Sequence, residues 1–158
     1  MNKEKGRLVS RETTSAEEAA LFERVSTIIE NRKSRAGACA NREITLMYWE
    51  IGRFVEAFLL DGERAEYGKR IVASLAQQLK RRYGSSFDYT NIRRMIQFSR
   101  RFPDIEIVAP LAQQLSWSHF IELLPLKSDE ALMYYADDSA GRRLTTKQLR
   151  HQIRYRLG

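Results

Sequence analysis

Cysteine, proline and long apolar runs are all scarce in this sequence, and each shortage excludes a class of protein. The 158 residues include one cysteine, Cys39, so no disulfide can form within the chain and a reducing compartment is predicted. No apolar run approaches the roughly 20 residues that cross a bilayer. The first residues, MNKEKGRLVSRETT, lack the apolar core of a secretory signal. We therefore expect a cytoplasmic protein without a membrane-spanning segment.

The patterns that usually carry catalysis or hold a metal ion are missing as well. The chain has two histidines and no cluster of cysteine, histidine or carboxylate at metal-ligand spacing. Neither a G-x-S-x-G elbow nor a phosphate-binding glycine loop is present. The segment PDIEIV at 103–108 imitates a metal-dependent nuclease motif, but its lysine is absent and Asp104 and Glu106 stand too close together. We predict that this chain is not an enzyme and takes no metal or other cofactor.

Only three prolines and eight glycines interrupt the chain, and apolar residues recur between them with the period of an α-helix. The clearest stripe, which is predicted to end at Asp61 and Gly62, consists of Ile44, Met47, Tyr48, Ile51, Phe54, Val55 and Phe58. The pattern predicts a mainly α-helical fold of six or seven helices, with helix-turn-helix units and a long N-terminal helix or helical hairpin. Residues 105–108 are β-like, so a winged-helix-like arrangement with a short strand is the alternative.

Composition divides the chain into three segments. Residues 1–14 are predicted to form a flexible polar arm. Residues 15–62 form an N-terminal helical segment that is interrupted near Gly37 or runs through it, and its apolar stripes make it a candidate dimerisation element. Residues 63–158 are predicted to be a nucleic-acid-binding region of helix-turn-helix type, either separate from 15–62 or in one domain with it.

The net charge of +7 is distributed unevenly along the chain. Residues 61–102 contain ten basic and four acidic residues, and residues 141–158 contain six basic and no acidic residues. Between them, residues 103–140 contain one basic and seven acidic residues. A basic excess is evidence about partners rather than about fold. It favours nucleic acid first, and an anionic membrane or an acidic protein second.

The stretch DYTNIRRMIQFSRRF at 88–102 separates into two faces when it is drawn as a helix with Asp88 as its N-cap. The apolar face consists of Ile92, Met95, Ile96, Phe98, Ser99 and Phe102. The other face holds four arginines, Gln97 and Thr90, and no acid. A solvated surface helix is the plain alternative, but such helices usually gain from ion pairs between residues four apart. Arginine and glutamine bind phosphates and base edges, so we predict a DNA-binding helix.

A helix and a turn at Gly84 precede this stretch, which completes a helix-turn-helix pattern. Basic residues of the preceding helix and of the C-terminal segment are expected to contact phosphates. The predicted DNA-binding residues are Lys80, Arg81, Arg82, Thr90, Asn91, Arg93, Arg94, Gln97, Arg100, Arg101, Arg142, Arg143, Lys147, Arg150 and Arg154. The predicted partner is duplex DNA, and a homodimer is an additional candidate. The rival hypothesis is a protein-interaction or oligomerisation domain that does not bind nucleic acid.

Two local patterns near the C-terminus concern helix starts. Thr145-x-x-Gln148 predicts a capping box. His119, in the sequence Trp117-Ser118-His119, could be a ligand or a proton shuttle. A packing or capping role is favoured for it, because no acid or cysteine cluster accompanies it.

Four stretches, in order, resemble the N-terminal domain of the YhcG-like family: YWEIGRFVEAF, AEYGKRIVASLAQQLKRRYGSSFDYTNIRRMIQFSRRFP, LAQQLSWSHFIELL and LTTKQLRHQI. The resemblance covers residues 20–157. It implies a helix-turn-helix or winged-helix DNA-binding module that precedes a PD-(D/E)xK nuclease domain, and hence a targeting role in a nuclease-associated bacterial protein. A C-terminal nuclease domain or a nuclease partner is then expected, and the chain is either an excised domain or a short member without one.

The resemblance also assigns residues. It places the second helix of the helix-turn-helix at Asn91, Arg93, Arg94, Met95 and Gln97. A second signature falls on Gln114, Leu115, Ser116, Trp117, Ser118 and His119. Asp88 stands where serine is common in the family, which keeps the helix cap and adds a negative charge.

Overall fold

The computed structural model describes residues 2–60 and 65–157, and this part of the chain contains seven α-helices and no strand. A short 3₁₀ turn, Ser85–Phe87, lies between the second and third helices. The helices are α1 (Asn2–Leu60), α2 (Ala65–Tyr83), α3 (Tyr89–Arg101), α4 (Ile105–Ala112), α5 (Trp117–Leu123), α6 (Asp129–Gly141) and α7 (Thr146–Leu157). The prediction of a mainly α-helical fold is therefore confirmed. None of the described helices is long and apolar enough to cross a membrane.

The chain divides into two compact units, Met1–Ala38 and Cys39–Gly158. Residues 39–60 thus belong to the same unit as α2 to α7. α1 continues through Gly37, and from Asn2 onward it includes the segment predicted as a flexible arm, residues 1–14. The first 60 residues contain no proline, which permits one continuous helix. The helix end predicted at Asp61 and Gly62 lies outside the described residues.

α3 lies at the centre of the second unit, because its apolar face contributes to two hydrophobic clusters. Phe98 and Phe102 join a cluster formed mainly by α4 to α7. Ile92, Met95 and Ile96 join a second cluster formed with α1 and α2. The residues predicted for the apolar face of this helix are all at most 6% exposed. Each apolar side chain of this set contributes about 1.5–3 kcal/mol by its burial. The apolar face predicted from the sequence is therefore required for packing.

α1 approaches α3 so closely at Gly52 that no larger residue fits there. A Cβ atom added to Gly52 would lie 2.0 Å from the carbonyl oxygen of Met95, which is a backbone atom and cannot rotate away. Nearby, the indole nitrogen of Trp49 donates a hydrogen bond to the carbonyl oxygen of Phe102, at 2.7 Å. α1 therefore supports α3 along its length and also satisfies a carbonyl at its C-terminal end.

The predicted helix starts are confirmed at two sites. The carboxylate of Asp88 accepts a hydrogen bond from the backbone N–H of Asn91 at 2.8 Å, as an N-cap does. Thr145 and Gln148 form the predicted capping box, with side-chain-to-backbone distances of 2.9 and 3.1 Å. Gly84 has a positive φ of 107° as expected for a helix-ending glycine, but its ψ of −175° lies outside the left-handed helical region.

The alternative of a short strand at residues 105–108 is wrong. These residues start α4, because Asp104 caps the helix by accepting from the backbone N–H of Glu106 at 2.9 Å. Val108, Leu111 and Ala112 are buried at helical spacing, so the apolar run packs as one side of a helix. With no strand in the described residues, a winged-helix arrangement finds no support in this part of the chain.

Candidate nucleic-acid interface

The first half of α3 presents two arginines that the fold leaves available. Arg93 and Arg94 are both exposed, and so is Thr90, one turn earlier. The guanidinium of Arg93 lies 5.7 Å from the centre of the Tyr89 ring, which is a cation–π contact that does not neutralise its charge. Arg94 makes no hydrogen bond, ion pair or ring contact within residues 2–60 and 65–157. This half of the helix therefore offers positive charge and unused donors to an anion.

The second half of α3 uses its polar face to hold the segment that follows α5. The side-chain amide of Gln97 donates to the carbonyl of Leu124 at 3.3 Å. The guanidinium of Arg101 donates to the same carbonyl at 2.9 Å and also to the carbonyl of Leu126. The carbonyl of Leu124 follows the end of α5, where such groups have no partner within the helix. Gln97 and Arg101 thus contribute to the fold through bonds to backbone oxygens.

Arg100 is paired with an acid from another helix. Its guanidinium forms a hydrogen-bonded ion pair with Glu56 of α1, and the buried hydroxyl of Ser99 donates to the same carboxylate at 3.4 Å. The Arg100 side chain is 57% exposed, whereas that of Glu56 is 17% exposed. The carboxylate of Glu56 therefore compensates the positive charge that Arg100 was expected to present to solvent.

Asn91 is held by two hydrogen bonds. Its side-chain nitrogen donates to the carbonyl of Ser86 at 2.6 Å, and its side-chain oxygen accepts from the indole nitrogen of Trp117 at 2.9 Å. Trp117 in turn packs edge-on against Tyr48 and Phe98, with ring centres 4.9 and 5.3 Å apart. The role of Asn91 in this structure is to fix the start of α3 against α5.

The last turn of α2 adds a second group of exposed cations. Lys80, Arg81 and Arg82 are all exposed, and α2 is in contact with α3 across the 3₁₀ turn. The guanidinium of Arg82 lies 5.3 Å from the centre of the Tyr83 ring. Together with the start of α3, this turn forms a helix, a short connection and a second helix with basic residues on both sides of the connection.

The basic residues near the C-terminus divide into paired and unpaired groups. Arg142 is hydrogen-bonded to Asp138 at 2.8 Å through its Nε, and Arg150 to Glu122 at 2.9 and 2.7 Å. These hydrogen bonds, and the attraction of the two carboxylates, raise the pKa of both arginines. The exposed residues that form no ion pair in the described part of the chain are Arg143, Lys147 and Arg154.

His119 serves as a helix cap, as the sequence favoured. Its Nε2 lies 2.7 Å from the carbonyl oxygen of Leu144, which can only accept, so Nε2 carries the proton. Its Nδ1 then accepts from the backbone N–H of Ser116 at 3.1 Å and contacts the hydroxyl of Ser116 at 2.8 Å. Both ring nitrogens are occupied within the fold, and no group of three potential metal ligands exists among the residues that the structure describes.

The structure therefore separates the predicted DNA-binding residues by environment. The exposed members without an ion pair in the described residues are Lys80, Arg81, Arg82, Thr90, Arg93, Arg94, Arg143, Lys147 and Arg154. The members with partners inside the fold are Asn91, Gln97, Arg100, Arg101, Arg142 and Arg150. The sequence carried no signal for most of these partners, because they are backbone oxygens or acids more than 20 residues away. The exception is the pair of Asp138 and Arg142, which stand four residues apart.

The chain is similar to a known protein family and to a curated protein of that kind. The profile of the DUF1016 N-terminal domain matches residues 24–157. A protein of Escherichia coli (strain K12) named "Putative nuclease YhcG" is 24% identical over 172 aligned positions, which cover 90% of this chain and 46% of that protein. The chain thus spans about half the length of this curated relative. No solved structure matches the chain significantly.

Proposed function

The chain belongs to the DUF1016 N-terminal domain family, and on this premise we propose that it is a DNA-binding module of a nuclease-associated protein. The module recognises duplex DNA and directs a nuclease to it. Any cleavage belongs to a C-terminal nuclease domain or to a separate nuclease partner, since this sequence carries no recognisable catalytic pattern. Two facts about the E. coli relative support this proposal: it is named a putative nuclease, and the chain covers 46% of its length.

The observation that carries the proposal is the exposure of Arg93 and Arg94 in the first half of α3, where neither forms an ion pair with a described residue. Arginine makes bidentate hydrogen bonds to phosphate or to guanine, and a helix in the major groove reads base edges with residues near its N-terminus. Asp88 and Asn91 fix that end of the helix by internal hydrogen bonds. The helix therefore presents its arginines from a rigid support, which reduces the entropy lost on binding.

The exposed cations at the end of α2 and in the C-terminal segment are assigned to the phosphate backbone. Lys80, Arg81 and Arg82 lie in the last turn of α2, before the connection that leads into α3, and Lys147 and Arg154 lie on α7. Contacts of this kind are independent of sequence and release counterions, so they make affinity depend strongly on salt. Arg100 and Arg101 leave the set of proposed contacts, because the fold already uses them.

The test is a salt titration of duplex binding, measured by the fluorescence anisotropy of a labelled DNA duplex. Replacement of both Arg93 and Arg94 by alanine should lower the affinity by about 100-fold at low salt, since each well-placed arginine contributes about 1–3 kcal/mol. The slope of log affinity against log salt should fall by up to about two, as expected when two phosphate contacts are lost.

The matched control is Lys33→Ala combined with Arg35→Ala, which removes two exposed cations from α1 outside the proposed interface. This control should stay within about threefold of the wild-type affinity if general charge contributes little. The proposal fails if the wild-type chain does not bind duplex at low salt. It also fails if the α3 variant loses no more affinity than the control.

A protein-interaction or oligomerisation domain is the second candidate function, and one observation favours it. Large apolar side chains on α1 and α2 are exposed, including Phe54 at 75% and Tyr83 at 59%. Contiguous exposed apolar surface on a monomer usually marks a binding site. The two functions are compatible, because DNA-binding proteins are often symmetric dimers.

A further inference from the structure

An apolar groove lies between the last turns of α1 and the α2 helix. Met47, Phe54 and Phe58 of α1 form one wall, and Ile71, Leu75 and Leu79 of α2 form the other. The cavity measures about 770 Å³, which is enough for several large side chains. Among the described residues that line it, Glu50 is the charged one. A groove of this composition offers apolar contacts rather than cations, so it suits apolar side chains better than phosphates.

The α1 wall of the groove is a ridge that α1 does not need for its own packing. Tyr48 and Val55 on the neighbouring face of α1 are at most 7% exposed and belong to the core, whereas Phe54 and Phe58 are 75% and 52% exposed. The ridge residues recur at alternating steps of three and four, at positions 44, 47, 51, 54 and 58. That spacing is typical of helices that pack against a second helix along a seam.

We propose that the occupant of this groove is a second copy of the same chain. The ridge and the groove lie side by side on one surface, so a two-fold arrangement can insert the phenylalanines of each copy into the groove of the other. Such an interface is self-complementary, which is the usual form of a dimer with two-fold symmetry. The inference goes beyond DNA binding and uses none of the arginines of α3.

The charge of this surface suits a second copy better than an acidic or basic partner. Each chain carries a net charge of +7, so two copies can associate only where few cations face each other. Ser74 and Gln78, on the exposed side of α2, are uncharged and hydrogen-bonded to each other at 3.2 Å. An almost neutral apolar strip is thus the part of this surface through which two basic chains can approach without strong repulsion.

The exposed apolar area of this surface is large enough for the centre of a dimer interface. Met47, Phe54, Phe58 and Tyr83 are 39–75% exposed, and since large side chains of this kind bury about 150–250 Å² each, they leave about 400–500 Å² in water. A stable interface buries about 800 Å² per partner, with an apolar centre and a polar rim. The four side chains therefore account for the apolar centre, and polar residues around the groove supply the rim.

The test is the molar mass in solution, measured by sedimentation equilibrium over a range of concentrations. The wild-type chain should approach twice its 18.5 kDa as concentration rises. Phe54→Asp places a charge at the most exposed point of the ridge and should weaken self-association by at least about 100-fold, as the loss of a central aromatic contact does. Its helical content, and its thermal stability at concentrations where the wild type is monomeric, should remain those of the wild type, because Phe54 is three-quarters exposed.

The matched control is Tyr155→Asp, which removes an aromatic residue of similar exposure, 70%, from α7. This variant should associate like the wild type. The proposal is overturned if the wild-type chain stays monomeric up to its solubility limit, or if Phe54→Asp and Tyr155→Asp associate equally well. Because the Arg93→Ala and Arg94→Ala double variant should still dimerise, failure of the dimer and failure of DNA binding are read from different experiments.

Discussion

The first and second halves of α3 carry the same residue type in different surroundings. Arg93 and Arg94 in the first half are exposed and have no acidic partner among the residues that the structure describes. Arg100 and Arg101, about two turns later, are paired with a carboxylate or with backbone carbonyls. A helical wheel places all four on one polar face. What separates them is the neighbouring structure: α1 brings Glu56 to Arg100, and the end of α5 brings two carbonyls to Arg101.

The difference teaches that an arginine-rich helix face is not evidence of one function along its whole length. A guanidinium group can satisfy several carbonyl oxygens at once, since it has five N–H donors. Arginine is therefore as suitable for closing a helix end as for binding a phosphate. Of the four arginines on the polar face of α3, two have partners inside the fold.

The largest expected effect comes from removing the support that both halves share. Gly52→Ala places a Cβ against the carbonyl oxygen of Met95, so α1 must shift away from α3. We expect a loss of about 3 kcal/mol or more in the free energy of unfolding, because the contact is with rigid backbone. Urea unfolding followed by far-UV circular dichroism measures it. Gly37→Ala is the control: it meets nothing within 4 Å and should stabilise α1 by up to about 1 kcal/mol. Equal effects at the two glycines would contradict the close contact.

A smaller effect on stability should distinguish the two halves of α3 directly. Arg101→Ala leaves the carbonyls of Leu124 and Leu126 without this donor, and the free energy of unfolding should fall by about 2–3 kcal/mol. Duplex affinity, measured below the melting temperature, should change little. Arg94→Ala should give the opposite pattern, with little change in stability. If Arg101→Ala reduces duplex affinity without destabilising the fold, the division of α3 into two halves is wrong.

The smallest effect concerns the ion pair of Arg100 and Glu56. Glu56→Gln removes the acid's charge, and since the Arg100 side chain is more than half exposed, stability should fall by no more than about 1 kcal/mol. Arg100 would then carry an uncompensated charge, and we expect duplex affinity to rise a few-fold, with the salt slope steeper by up to about one. An unchanged affinity and slope would show that Arg100 faces away from bound DNA. The single variants and the double variant with Arg100→Ala give the coupling energy of the pair.

Local features of this fold were predictable from sequence, and features that depend on distant residues were not. The caps at Asp88 and at Thr145 and Gln148 were predicted because their partners lie three residues away. The buried face of α3 was predicted because periodicity records it. α4 was ambiguous, since a short apolar run fits a strand or a helix until the cap at Asp104 is taken into account.

The same limit applied to the candidate site. Arg101 and Gln97 were predicted to face DNA because the polar face of this helix holds no acid, yet their acceptors are carbonyls 23 to 27 residues away. Backbone carbonyls leave no trace in residue identity, so composition cannot reveal them. The partner of Arg100 was also not predictable from its surroundings in the sequence, since this acid lies 44 residues earlier. The exposure of Arg93 and Arg94 was predictable, because it depends only on the helical periodicity of α3.

The two tryptophans of this chain are both hydrogen-bonded to the region of α3. Trp117 donates to Asn91 in its first turn, and Trp49 donates to the carbonyl of Phe102 immediately after its last residue. Intrinsic tryptophan fluorescence therefore reports on the docking of this one helix, with no label added. A Trp49→Phe variant would report from the end that carries Arg93 and Arg94, and a Trp117→Phe variant from the end that carries Arg100 and Arg101. The molecule contains its own optical probe for each half of the helix.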